Sequence, residues 1–233
     1  MIRVMSQLLE TIEIETGNEP KVSVIWMHGL GADGNDFVPI VNELDLSDMP
    51  PIRFVFPHAP MRPVTINNGY VMRAWYDVSL GDLEGNSRKA DERGVRESQA
   101  EIEALIVREA GRRMAHENIL LAGFSQGGAM ALQTGLRHAQ RLAGVMALST
   151  YLPLAGSFAA EAAPANARTP VFMAHGTLDP MVPHAMGLSS RDLLKQAGYD
   201  IEWHEYPMKH SVCLEEIGDI GTWLRNALAK RRA

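Results

Sequence analysis

The segment from Gly123 to Gly128 places Ser125 between two glycines, in the spacing Gly-x-Ser-x-Gly. It follows an apolar run from Ile119 to Ala122 and precedes a helical pattern that opens at Ala129. A serine on a tight turn between a strand and a helix has a strained backbone that exposes its hydroxyl, and glycines on either side avoid collisions with both elements. The sequence therefore predicts that Ser125 is a nucleophile that attacks a carbonyl carbon.

Apolar runs of strand length recur along the chain and alternate with helical patterns, which open near Val95, Leu193 and Ile217. Such runs, apolar on both faces, are typical of a mostly parallel sheet with helices on both sides, so the predicted fold class is α/β. An alternating pattern from Leu9 to Ile14 predicts an added antiparallel edge strand. A chain of 233 residues fits one domain, residues 1–233. The predicted strands are Lys21 to Met27, Ile52 to Phe56, Asn118 to Ala122, Leu142 to Leu148, Pro170 to Ala174 and Ile201 to Tyr206.

An acid and a base for this serine are expected at the carboxyl ends of later strands, where reactive groups gather in parallel sheets. Asp179 directly follows a strand, whereas Asp200 precedes one and would lie at the opposite edge. His210 follows the last strand by a short loop. We therefore predict that His210 takes the proton from Ser125 and that Asp179 fixes the imidazole tautomer. His28 and His175, each before a glycine at a strand end, are expected to make structural hydrogen bonds.

Two backbone amides are expected to stabilise the oxyanion that forms on the attacked carbonyl. The Gln126 amide opens a helix, where N–H groups lack partners. The second amide is expected in the glycine-rich loop after the first central strand, at Leu30, with Gly31 as the rival. This loop lacks the spacing of a dinucleotide fingerprint or of an EF-hand, so no cofactor and no metal are predicted. Its Asn35 or Asp36 is expected to cap a helix that contains Phe37, Ile40, Val41 and Leu44.

Composition excludes several classes of partner. The formal charge is −6 with interspersed signs, so no basic face would attract nucleic acid. Glutamates interrupt the first fifteen residues and other apolar runs are short, so neither a secretion signal nor stable membrane insertion is expected. Cys213 is the single cysteine and suits a reducing compartment. These features predict a soluble, cytoplasmic protein.

The chain resembles the bacterial carboxylesterase and acyl-protein thioesterase family, also called the phospholipase/carboxylesterase family, of the α/β-hydrolase superfamily. The resemblance spans about Ile25 to Leu224 and includes the glycine-rich loop, the serine turn, and His175-Gly176 followed by Asp179. It implies an α/β-hydrolase fold without a large cap domain, with a triad at Ser125, Asp179 and His210 and oxyanion donors at Leu30 and Gln126. It also implies hydrolysis of carboxylic esters or thioesters, and it favours a homodimer.

The long irregular stretch from Pro57 to about Arg93 is expected to form one wall of the substrate cleft. The leading interpretation is a serine esterase for small esters with short to medium acyl chains, and the alternative is a thioesterase or lysophospholipase with the same triad. Met72, Trp75 and Val182 are candidate substrate contacts, for which core packing is an equal alternative. A binding protein on a hydrolase scaffold is a further hypothesis, disfavoured because all three triad residues are present.

Overall fold

The computed structural model describes residues 8–79 and 91–229, and its framework is a seven-stranded sheet with a separate two-stranded sheet beside it. The strands are β1 (Thr11–Glu15), β2 (Val22–Met27), β3 (Ile52–Pro57), β4 (Met61–Val64), β5 (Tyr70–Arg73), β6 (Ile119–Phe124), β7 (Gly144–Leu148), β8 (Val171–Gly176) and β9 (Ile201–Tyr206). The main sheet has the order β1-β3-β2-β6-β7-β8-β9, in which β1 is antiparallel to β3 and the other pairs are parallel. Strands β4 and β5 pair antiparallel as the small sheet.

Helices cover both faces of the main sheet. They are α1 (Ile40–Glu43), α2 (Glu92–Gly111), α3 (Gln126–Gly135), α4 (Ala155–Glu161), α5 (His184–Gln196) and α6 (Leu214–Ala229), with short 3₁₀ turns at Thr65–Asn67, His116–Asn118 and Pro164–Asn166. One apolar cluster joins the sheet to α2, α3, α4 and α5, and the other joins it to α1 and α6. Within the described ranges, no helix has both the length and the apolar character needed to cross a bilayer.

The central strands are buried on both faces, as their continuous apolar runs predict. Every residue of β2, β7 and β8 is buried. Successive residues of β2 enter opposite clusters, with Val24 and Trp26 in one and Ile25 and Met27 in the other. The α/β class with a mostly parallel sheet is therefore confirmed, and so is the antiparallel edge strand near the start of the chain.

The prediction of a capped helix around Phe37 is wrong. The α-helix there is only Ile40–Glu43, its first turn follows Pro39, and no side chain caps it. Asp33, rather than Asn35 or Asp36, makes the local turn, because its Oδ1 accepts the Asn35 backbone N–H at 2.7 Å. An aspartate that bonds the backbone two residues onward favours a turn over a helix start.

The stretch from Pro57 to about Arg93 is more regular than predicted. It contains the hairpin of β4 and β5, in register from Met61 opposite Arg73 to Val64 opposite Tyr70. These four-residue strands have mixed exposure, so they lack the apolar run that marks a core strand. Residues 80–90 of the stretch lie outside the described part of the chain.

Candidate active site

Ser125 lies on a sharp turn between the end of β6 and the start of α3. Its φ is 55° and its ψ is −121°, a conformation that is rare for a residue with a side chain. Two hydrogen bonds hold its backbone: Ser125 N donates to Leu148 O at 2.9 Å, and the Thr150 hydroxyl donates to Ser125 O at 2.7 Å. The neighbouring strand and the segment after it therefore maintain the strained turn that presents the serine hydroxyl.

The flanking glycines are required by close backbone contacts. A Cβ atom on Gly123 would lie 2.2 Å from the Gly127 carbonyl carbon, and a Cβ on Gly127 would lie 2.1 Å from Met27 O. Both distances are far below van der Waals contact, and backbone atoms cannot move aside as a flexible side chain can. The glycine spacing of the sequence therefore reflects how tightly β6, α3 and β2 pack at this turn.

Ser125, His210 and Asp179 form one hydrogen-bonded chain. His210 Nε2 lies 2.9 Å from Ser125 Oγ, and His210 Nδ1 lies 2.7 Å from Asp179 Oδ2. The structure thus brings together, above the carboxyl ends of β6, β8 and β9, three residues that are distant in sequence. The distances suit proton transfer from the hydroxyl to the imidazole.

The Asp179 carboxylate is fixed by three donors. Its Oδ1 accepts the backbone N–H groups of Met181 at 2.8 Å and Val182 at 2.9 Å, and its Oδ2 faces His210. Burial favours the neutral acid, but the hydrogen bonds from His210, Val182 and Met181 outweigh it and lower the pKa of Asp179. The group is therefore a carboxylate at neutral pH, aimed at the imidazole.

The other two strand-end histidines make structural hydrogen bonds. His28 Nδ1 donates to Gly29 O at 2.7 Å and His28 Nε2 accepts from Ala59 N at 3.0 Å, which fixes a neutral tautomer. Burial is the main cause that lowers the pKa of His28 to about 4. His175 is fully buried, and its Nε2 lies 2.9 Å from Val182 O and 3.6 Å from Asp179 Oδ2. His175 therefore braces the loop that carries Asp179.

Two backbone amides, of Leu30 and Gln126, are available to an oxyanion beside the nucleophile. Gly31 N donates to Arg73 O at 2.9 Å, so that amide is already committed. Over the described residues, the Leu30 N–H makes no such bond. Gln126 is the first residue of α3, where the helix supplies no acceptor for the N–H group. Leu30 and Gln126 both line the cavity that contains Ser125.

An apolar cavity of about 350 Å³ opens over Ser125 and His210, and we call it the catalytic cavity. Met72 and Val182 are in its wall, as the sequence predicted. Further apolar side chains in the wall, which were not among the predicted substrate contacts, are Ile66, Tyr76, Val78, Phe124, Tyr151 and Met181. Ile66, Tyr76 and Val78 come from the stretch between Pro57 and Arg93, so its described part does form a wall of the cleft.

Trp75 does not reach the cavity. It is 0% exposed, its indole N–H donates to His28 O at 2.9 Å, and its carbonyl accepts from the Ser98 hydroxyl. A large aromatic with these internal hydrogen bonds is part of the core, so the predicted substrate contact at Trp75 is wrong. Alternation along the chain turns the next residue, Tyr76, to the cavity instead.

The Gln126 side chain has a role that the sequence analysis missed. Its Oε1 accepts Trp75 N at 3.0 Å and its Nε2 donates to Tyr76 O at 2.9 Å. These two bonds tie the cleft wall to the residue after the nucleophile. No spacing signal in the sequence links Gln126 to a segment 50 residues earlier, so only the fold reveals this contact.

Comparison with known proteins assigns the family. The phospholipase/carboxylesterase family pattern matches residues 9–228. Acyl-protein thioesterase 1 of Neurospora crassa is 42% identical over 215 residues, which are 89% of this chain and 87% of that protein. Carboxylesterase SOBER1 of Arabidopsis thaliana is 34% identical, covering 88% of this chain and 90% of that protein.

Solved structures agree with these relatives. The crystal structure of Arabidopsis thaliana SOBER1 superposes with a TM-score of 0.81 at 33% identity, covering 89% of this chain and 99% of that one. Zea mays acyl-protein thioesterase 2 gives a TM-score of 0.80 at 26% identity, covering 94% and 99%. These relatives are fungal and plant proteins, so they support the family of the sequence resemblance but not its bacterial qualifier.

Proposed function

The chain belongs to the phospholipase/carboxylesterase family and is a serine hydrolase that acts on esters, and we propose that it works through an acyl-enzyme on Ser125. The observation that carries this proposal is the chain of two hydrogen bonds, 2.9 Å from Ser125 Oγ to His210 Nε2 and 2.7 Å from His210 Nδ1 to Asp179 Oδ2. Its preferred substrates are carboxylic esters of short to medium acyl chain.

Attack begins when the Ser125 oxygen forms a bond to the ester carbonyl carbon. The hydroxyl proton passes to His210 Nε2, and the carbonyl π electrons move onto the oxygen. The Asp179 carboxylate keeps the proton on His210 Nδ1 beforehand, so that Nε2 is free to accept, and it stabilises the imidazolium afterwards. This division of roles needs the carboxylate form of Asp179, which its lowered pKa supports.

The negative oxygen of the tetrahedral intermediate is bound by the Leu30 and Gln126 amides. The support for Leu30 over its neighbour is that the Gly31 amide already donates to Arg73 O. One such donor contributes about 2.7 to 4 kcal/mol of barrier reduction. Backbone donors need no reorganisation, because the turn after β2 and the first turn of α3 hold them in place.

The intermediate then collapses and the bond from the carbonyl carbon to the leaving oxygen breaks. His210 Nε2 returns its proton to that oxygen, and the alcohol departs. A water molecule next attacks the acyl-enzyme with His210 again as the base, which releases the acid and restores the Ser125 hydroxyl. Each of these steps needs only proton transfer and stabilisation of an oxyanion, which the named side chains and amides supply.

The catalytic cavity favours an acyl chain as occupant because its wall is mainly carbon. We propose that Met72 and Val182 contact this chain. Each buried methylene contributes about 0.8 kcal/mol, so the affinity for the acyl group grows with length until the cavity is filled. A cavity of about 350 Å³ suits short to medium chains.

Thioester hydrolysis is the second candidate activity. It is favoured by the relatives of Neurospora crassa and Zea mays, whose names are acyl-protein thioesterases. The same triad serves both reactions because a thiolate leaves the tetrahedral intermediate in place of an alkoxide, and the same acyl-enzyme is formed.

A paired series of p-nitrophenyl esters and acyl thioesters tests both candidates by kcat/KM at matched acyl length. We expect ester hydrolysis to be abolished in Ser125→Ala and retained in Ser157→Ala, a serine on α4 away from the cavity. Equal hydrolysis by wild type and Ser125→Ala would contradict the proposed acyl-enzyme. A higher kcat/KM for thioesters at every length would favour the second candidate.

We further propose that the chain folds as one domain, forms a homodimer and resides in the cytoplasm. The single main sheet with apolar clusters on both faces supports one cooperative unit. The free thiol of Cys213 suits a reducing compartment. Calorimetry, light scattering and cell fractionation test these three proposals in turn.

A further inference from the structure

A second apolar recess lies next to the catalytic cavity, and we call it the rear groove. It has a volume of about 310 Å³. Its lining is Tyr151, Leu152, Ala155, Ala185, Met186, Ser189, Ser190 and Leu193. The buried Ser190 hydroxyl donates to Met186 O at 2.8 Å and accepts from Leu152 N at 2.9 Å, so it is already satisfied. The rear groove therefore offers an occupant mainly carbon and sulfur atoms.

Tyr151 belongs to the walls of both the catalytic cavity and the rear groove. Its hydroxyl lies 3.0 Å from the hydroxyl of Tyr76, which also lines the catalytic cavity and is 3% exposed. The Tyr151 ring, held by this hydrogen bond to Tyr76, therefore forms a partition between the two apolar spaces.

Both tyrosines are anchored to the nucleophile turn. The Gln126 side chain donates to Tyr76 O at 2.9 Å, and Thr150, the residue before Tyr151, donates its hydroxyl proton to Ser125 O at 2.7 Å. Because these anchors fix the partition relative to Ser125, its distance from the attacked carbonyl is set by the fold. A fixed wall at a fixed distance limits the length of an acyl chain.

We propose that the Tyr76–Tyr151 pair sets the maximum acyl length by closing the catalytic cavity off from the rear groove, which becomes a distal acyl subsite only when this pair is opened. The proposal rests on the proposed acyl-enzyme at Ser125. When the pair is opened, the rear groove takes the terminal part of a fatty acyl chain, because it adjoins the acyl wall of the catalytic cavity and has the same apolar character. A chain longer than the catalytic cavity meets the two rings and buries no further methylene groups.

The test is kcat/KM for p-nitrophenyl esters from acetate to myristate, kept below their critical micelle concentrations. Each methylene that enters an apolar space is worth about a fourfold gain. Tyr151→Ala is therefore expected to raise the ratio of laurate to butyrate hydrolysis at least about tenfold over wild type. Tyr151→Phe keeps the ring and is expected to keep the wild-type length profile. An unchanged dependence of kcat/KM on acyl length in Tyr151→Ala would overturn the proposal that the Tyr151 ring limits acyl length. An equal change in Tyr151→Phe would overturn it as well.

A double variant tests where the longer chain goes. Ala155→Trp fills the rear groove from its exposed rim, so adding it to Tyr151→Ala is expected to return the length profile to that of wild type. If the gain for laurate persists in the double variant, the rear groove is not the subsite. Tyr70 is an exposed tyrosine outside both walls, so Tyr70→Ala serves as the matched control. It is expected to leave the ratio of laurate to butyrate hydrolysis unchanged. Failure of wild type to hydrolyse any ester would instead refute the proposed function.

Discussion

Replacing Asp179 by asparagine gives the sharpest test of the triad, because the geometry dictates which way the new amide must face. The two backbone N–H groups of Met181 and Val182 point at Oδ1, so the oxygen of the substituted side chain must take that position. The amide NH₂ then occupies the place of Oδ2, 2.7 Å from His210 Nδ1. His210 Nδ1 must become an acceptor, and its proton moves to Nε2, where it faces Ser125.

An imidazole protonated at Nε2 cannot accept the Ser125 proton. We expect kcat for p-nitrophenyl acetate to fall about 10⁴-fold, the size of effect that a wrong tautomer produces in a serine triad. This corresponds to ~5 kcal/mol of barrier. Stopped-flow or long-time absorbance of released p-nitrophenolate at neutral pH measures it, with circular dichroism to confirm folding.

Asp200→Asn is the matched control for this variant. Asp200 precedes β9 and is exposed at the opposite edge of the sheet, so its substitution is expected to leave kcat within about twofold of wild type, as for surface changes away from a site. Retention of more than a tenth of the activity in Asp179→Asn would refute the assigned role. An equal loss in Asp200→Asn would refute the argument from strand ends.

Two further predictions concern stability. Glu109 is fully buried, and its carboxylate accepts a hydrogen bond from the Ser23 hydroxyl. It also pairs with three arginines: Arg53, Arg108 and Arg112. Because Glu109→Ala removes the buried carboxylate that these partners share, it should lower the free energy of unfolding by about 3 kcal/mol. Urea titration measures this loss. The control is Glu92→Ala on the same helix, which removes an exposed pair with Arg96 and should lower the free energy of unfolding by under about 1 kcal/mol. Equal losses in the two variants would contradict a special role for burial. Burial raises the pKa of Glu216 from 4.5 to about 8. Between these two pH values the folded state holds a proton that the unfolded state has lost. The stability that this proton supplies is therefore fully present below pH 4.5 and is lost as the pH rises to about 8. Glu216→Gln stays neutral, so its stability relative to wild type should increase across that pH range, and a constant difference would show that Glu216 ionises freely in the folded protein.

The sequence predicted the catalytic edge of the sheet well because chain direction decides it. In a parallel sheet every carboxyl strand end lies at one edge, so Asp179 after β8 and His210 after β9 had to approach the turn at Ser125. The continuous apolar runs of β2, β7 and β8 are equally direct signals, because both faces of these strands are covered.

The walls of the catalytic cavity were harder to predict, because they depend on which way each side chain of an irregular segment turns. Trp75 and Tyr76 are adjacent and both aromatic, yet only Tyr76 lines the cavity, since the Trp75 indole is held by His28 O. The choice between Leu30 and Gly31 likewise depends on a bond to Arg73 O, far along the chain in β5. Contacts of this kind depend on tertiary packing, so the spacing of residues along the chain does not predict them.

The helix predicted around Phe37 shows a different limit. Apolar residues there recur at helical spacing, but Asp33 bonds the Asn35 backbone and the α-helix is confined to Ile40–Glu43. Periodicity reports which side chains face the core, and an extended or turn-rich segment packed on a sheet can produce the same pattern.

Ser125 is expected to become covalently bound during the reaction, and intact-protein mass spectrometry after treatment with a fluorophosphonate detects such a bond. We predict one adduct per chain, located by peptide mapping on the peptide that contains Ser125, and no adduct in Ser125→Ala. An adduct on another residue, or labelling that persists in Ser125→Ala, would show that Ser125 is not the nucleophile.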